Sequence, residues 1–142
     1  MSLSPSDTLV VMAYERGPTN AAANTAYTPG GFAEEMRHTH PGSVVELVIT
    51  REMTSAQLAQ ARQAVNEAST VLLVTLNAHR DAPQRAALQA VAADAQRVIG
   101  LAVGEPYDAS ALPEFGTYVA CYDYSAEALR GTFNVIFRSE SF

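Results

Sequence analysis

The sequence predicts an α/β domain in three layers, a mainly parallel five-stranded sheet between two sets of helices. Three observations carry this. Apolar runs of strand length recur five times, the segments between them have helical spacing or helix-capping residues, and no tight two-residue hairpin turn joins any two runs. Parallel neighbours need long crossovers, which are right-handed, so strand and helix must alternate as they do here.

The elements follow in order. Thr8 to Tyr14, TLVVMAY, is apolar throughout and suits a central strand covered on both faces. Glu15 to Gly30 holds Gly17-Pro18, Asn20 and Pro29-Gly30 with no period, a long loop of the kind that is functional, mobile or packed on something else. Gly31 to His38 starts a helix with Phe32 and Met36 inward, stopped by His40-Pro41-Gly42 before a strand at Ser43 to Thr50. Thr54-Ser55 caps the next helix, whose apolar face is Leu58, Ala61, Val65 and Ala68. Val71 to Leu76 is the most strand-like run and ends in Asn77-Ala78-His79-Arg80-Asp81. Asp81 caps a helix with Pro83 in its first turn and Leu88 and Val91 inward. Val98 to Val103 is the fourth strand, Asp108 caps a turn of helix at Ala109 to Leu112, and Thr117 to Tyr122 is the fifth strand. Ser125 to Arg138 reads as a last helix, with Leu129, Phe133, Ile136 and Phe137 inward and Gly131 a weak point. The expected strand order is 2-1-3-4-5, a flavodoxin-like arrangement.

With 142 residues, 48% of them hydrophobic, the chain fills one core and one domain, residues 8–142. Residues 1–7 read as an expression scar or linker. The apolar runs are far shorter than the roughly 20 residues of a membrane helix, so no membrane partner is expected. A net charge of -6 without a basic run gives a nucleic-acid backbone little to bind. The single cysteine, Cys121, excludes an internal disulfide and a cysteine-based zinc cage, and its place in an apolar strand reads as a buried thiol. The compartment stays open between cytoplasm and secretion.

Right-handed crossovers bring the residues after the third, fourth and fifth strands to one carboxyl edge of the sheet. Asn77, His79, Arg80, Glu105, Tyr107, Asp108 and Tyr122, with Asp123, gather there and form the candidate rim or interface. Such an edge suits a sugar or a phosphate, and the same residue types also cap helices and close turns. Elsewhere the signals fall short of chemistry. His38-x-His40 follows a helix and precedes Pro-Gly, which is turn context rather than a metal pair. Gly30-Gly31 lacks the rest of a phosphate-binding motif, G-x-S-x-G is missing, and Glu34 and Glu35 are adjacent on a helix and so point apart. Neither a catalytic set, a metal nor a cofactor is read from the residues.

The second half of the chain carries four motifs in sequence: Thr75-Leu76-Asn77-Ala78, Pro83-Gln84 opening a helix, Pro106-Tyr107-Asp108 with Pro113, and Thr117-Tyr118 with Tyr122. In these it resembles the C-terminal domain of family 3 glycoside hydrolases, in the two-domain β-N-acetylhexosaminidase branch. The first half agrees in its order of strands and helices. The resemblance implies an accessory domain whose partner is an N-terminal (β/α)8 barrel, with carbohydrate as a further candidate ligand at the shared rim. In that family the nucleophilic aspartate, and in this branch the assisting His and Asp, lie in the barrel, and a barrel of about 250 residues does not fit in this chain. The resemblance therefore carries no catalytic residue onto it. A free-standing small-ligand module, binding a sugar or a nucleotide at the same edge, is the alternative reading.

Overall fold

The computed structural model of the chain describes residues 5–14, 29–40, 42–50, 52–103, 107–111, 117–121 and 126–137. Their order is β1 (Thr8–Tyr14), α1 (Pro29–Thr39), β2 (Ser43–Ile49), α2 (Ser55–Glu67), β3 (Thr70–Thr75), a 3-10 turn (Ala78–Arg80), α3 (Ala82–Ala92), β4 (Val98–Ala102), α4 (Asp108–Ala111), β5 (Thr117–Ala120) and α5 (Ala126–Ile136). The five strands form one sheet in the order β2-β1-β3-β4-β5, with every pair parallel. This is the flavodoxin-like α/β sandwich that the sequence predicts.

The alternation of side chains along each strand divides the core in two. Leu9, Val11 and Ala13 of β1, Leu72 and Val74 of β3, and Ile99 and Leu101 of β4 face Phe32 and Met36 of α1 and Leu129, Phe133 and Ile136 of α5. Val10, Met12 and Tyr14, with Val71 and Leu73, face Ala61 and Val65 of α2 and Leu88 and Val91 of α3. Strands buried on both faces must be apolar throughout, which explains TLVVMAY and TVLLVT. Each fully buried Leu or Phe contributes about 1.5–3 kcal/mol, so the sheet is a rigid base for whatever stands on its ends.

The helix starts obey local rules. Thr54 accepts from the Gln57 N–H at 3.2 Å while Gln57 Oε1 accepts from the Thr54 N–H at 2.9 Å, a reciprocal capping box. Asp81 caps α3 through the Gln84 N–H at 3.2 Å, with Pro83 in the first turn. Strands β3, β4 and β5 end one or two residues before their expected limits, at Thr75, Ala102 and Ala120, and Tyr122 and Asp123 lie outside the described residues. Ends fray by that much wherever ladder pairing stops before the apolar run does.

Two glycines have a packing reason. Gly100 pairs with Tyr118 across β4 and β5, and a Cβ on Gly100 would overlap the Tyr118 ring. The glycine lets the ring lie on the strand backbone. Gly42 stands where a Cβ would meet the carbonyl oxygens of Pro5 and Asp7 at 2.6 and 2.8 Å. Beside it His40, 3% exposed, bonds the Asp7 carbonyl through Nε2 at 2.9 Å, while His38 is exposed. His40 thus ties the start of β1 to the end of α1.

Gly131 is different. It is exposed within α5, and a Cβ there meets nothing within 4 Å. Gly131→Ala should raise the unfolding free energy by about 0.5–1 kcal/mol, because alanine loses less backbone entropy in a helix. A chemical denaturation midpoint that stays put or falls would contradict this.

Candidate functional site at the carboxyl edge

The site grows from the way β3 ends. Thr75 is wholly buried, and Asn77 then takes the left-handed conformation, φ 52° and ψ 39°, which turns the chain sharply across the sheet edge. Asparagine tolerates that region better than most residues. The Asn77 carbonyl accepts from the Arg80 N–H at 3.1 Å and the Ala78 carbonyl from the Asp81 N–H at 3.0 Å, closing the 3-10 turn that displays His79 and Arg80.

Gln84 holds this turn from the next helix. It is wholly buried, its Oε1 accepts from the Leu76 N–H at 3.2 Å, and its Nε2 donates to the Leu76 carbonyl at 3.1 Å. The side-chain amide thereby acts as one more rung beyond the end of the ladder. Nε2 also donates to Asp81 Oδ2 at 3.2 Å, so Asp81 commits both carboxylate oxygens to Gln84. Arg85 adds a bond to the Ala78 carbonyl at 2.7 Å.

Asp108 holds the turn from the other side. The carboxylate is fully buried, and its Oδ1 accepts both the backbone N–H of His79 at 3.0 Å and the ring Nδ1 of His79 at 2.8 Å. Arg80 Nε donates to His79 Nε2 at 3.1 Å, which places the ring hydrogen on Nδ1 and leaves Nε2 as acceptor. A chain Asp108–His79–Arg80 results. The other carboxylate oxygen, Oδ2, has no hydrogen-bond partner among the described residues. Tyr107, 61% exposed, sets its ring against His79 edge to face, with centroids 5.5 Å apart and planes at 68°.

Of the residues expected at this edge, Asn77, His79, Arg80, Tyr107 and Asp108 therefore come together, and Glu105 and Tyr122 lie outside the described residues. The expectation that Asp108 caps the following helical turn is corrected: Asp108 is the first residue of α4, and its carboxylate turns inward to His79. Two donors from one histidine outbid the single N–H that a cap would offer. Gln84 was not expected to act here. Its signal was its place in Pro83-Gln84, two residues into a helix and eight beyond Leu76.

Several polar groups of the described edge hold one another. Asp81 holds Gln84, Asp108 holds His79, and Cys121 at the end of β5 is buried and accepts from the Thr132 hydroxyl at 3.3 Å. No cluster of three metal-ligating side chains occurs among the described residues, and no helix described is long and apolar enough to cross a membrane.

No protein-family model matches the chain, and no curated protein matches it in sequence. Solved structures do. A glycoside hydrolase family 3 β-N-acetylglucosaminidase from Paenibacillus sp. str. FPU-7 superposes with a TM-score of 0.77 at 23% identity, over 95% of this chain and 26% of that one. A fungal multi-domain GH3 β-N-acetylglucosaminidase, which has a GCN5-related glucosamine N-acetyltransferase region, superposes with a TM-score of 0.75 at 22% identity, over 96% of this chain and 15% of that one. At such identities the likeness is one of fold: the chain has the fold of one domain of these proteins and spans about a quarter or less of their length.

Proposed function

We propose that the chain is the accessory C-terminal domain of a β-N-acetylhexosaminidase-like glycoside hydrolase, packing beside a catalytic (β/α)8 barrel and shaping the rim of its sugar site. The observation that carries the reading is the near-complete coverage of this chain, 95–96%, by a small part of two GH3 β-N-acetylglucosaminidases. The order of the four motifs along the chain supports it as well.

Glycoside hydrolysis needs two carboxylates flanking the bond, one able to give a proton and the other to attack or to activate water. Asp108 is buried against His79 and Asp81 is bonded to Gln84, so these two carboxylates hold the turn after β3. Incubated alone with an aryl N-acetylglucosaminide, the chain should release no aryl alcohol above the uncatalysed rate. Robust turnover by this polypeptide by itself would refute the accessory reading.

A further inference from the structure

We infer that residues 5–7 are a strap of the folded domain, clasped by His40 and seated against Gly42, and that this strap holds the outer strand β2 to β1. The folding unit then begins at Pro5 rather than at Thr8. The strap enters the sheet at a fixed point, because the Thr8 N–H donates to Ser69 Oγ at 3.3 Å and the Thr8 carbonyl accepts from the Ser69 N–H at 2.9 Å. Just before it, the Asp7 carbonyl bonds His40 Nε2 at 2.9 Å. A carbonyl only accepts, so the ring hydrogen is on Nε2, while Nδ1 is buried without a partner. Among the described residues the Asp7 carbonyl is thus the one hydrogen-bond partner of a ring in a residue that is 3% exposed. An opening of the strap that kept the ring in place would leave both nitrogens unpaired, which is costly for a buried group.

Gly42 supplies the matching shape. A Cβ there would lie 2.6 Å from the Pro5 carbonyl oxygen and 2.8 Å from that of Asp7, and main-chain atoms do not swing aside as a flexible side chain does. So close an approach of two backbones requires glycine. The next residue, Ser43, opens β2 and pairs with Thr8, which places the clasp beside the first rung of that ladder. β2 is the outer strand, with β1 as its one strand neighbour, and its burial fades toward this end, from buried Ile49 to exposed Ser43. Side-chain packing holds the carboxyl end of β2, and the strap holds its amino end.

The test uses the 142-residue chain. In His40→Ala, amide exchange at residues 8 and 43–45 should speed up about tenfold, and a protease that cuts before aspartate should cleave the Ser6–Asp7 bond faster by a similar factor. Gly42→Ala should do the same through the Pro5 and Asp7 carbonyls. The double variant should be no worse than either single one, since both release one strap. His40→Gln, whose amide can donate from nearly the same place as Nε2, should restore most of the protection. His38→Ala, at an exposed position, should change nothing. Rates equal in the wild type and both single variants, or rates that multiply in the double variant, would overturn the strap. A reading that needs no variant is the His40 ring in the wild type: its Nε2 proton should be visible by NMR and slow to exchange with solvent, and a ring hydrogen found on Nδ1 instead would remove the clasp.

Discussion

Replacing Asp108 by alanine is expected to lower the unfolding free energy by about 2–4 kcal/mol, measured by urea denaturation of the isolated chain. The carboxylate is fully buried and takes two donors from His79, the backbone N–H and Nδ1. Removing it strands both donors in a site that is 16% exposed at the His79 side chain, and an unsatisfied buried donor costs about 1–3 kcal/mol. Asp108→Asn should cost about half as much, because its carbonyl oxygen can still accept while the bond is no longer charge-assisted. The exposed Asp94, which pairs with Arg62 at 3.0 Å, is the control, and its alanine variant should cost no more than about 1 kcal/mol. An Asp108→Ala loss as small as the Asp94 loss would mean that water reaches His79 and that the Asp108–His79 bonds do not hold the turn.

A second large effect is expected at Gln84. Gln84→Ala should lower stability by about 2–4 kcal/mol, since it removes both partners of the Leu76 backbone and leaves a gap beside a wholly buried position. Gln84→Glu should be no better, because it loses the donor to the Leu76 carbonyl and sets a carboxylate against Asp81. Gln63 bonds Glu67 on the exposed face of α2 and provides the contrast: Gln63→Ala should stay within about 0.5 kcal/mol. Amide exchange adds a local readout. The Leu76 N–H should lose its protection in Gln84→Ala before the β3 amides do, and equal protection in both proteins would refute the role given to Gln84.

These two residues give the sequence motifs a physical meaning. Thr75-Leu76-Asn77-Ala78 is joined to Pro83-Gln84 through Leu76 and Gln84, and its turn continues to His79, which Asp108 of the Pro-Tyr-Asp motif holds. Tyr118 of the fourth motif lies on Gly100 in β4. What reads in the chain as a series of separate signatures is, within the described residues, largely one clamp at the carboxyl edge and one ring packed on a strand beside it. Spacing alone does not disclose this, because Asp108 and His79 are 29 residues apart.

The chain by itself determined the class, the number of strands and their alternation with helices, and the faces of the helices. Those follow from local causes: apolar runs of strand length, capping side chains at Thr54 and Asp81, and the lack of hairpin turns that forces parallel pairing. It also determined which residues share the carboxyl edge, since right-handed crossovers leave no other place for Asn77, His79, Tyr107 and Asp108. Only the tertiary structure decided what those residues do there. Asp108 could have capped its own helix, as its position suggests, and Gln84 could have faced solvent, as most glutamines do. A polar side chain near a sheet edge has several acceptors and donors within reach, each worth a similar small net energy, and burial selects among them by penalising whatever is left unpaired.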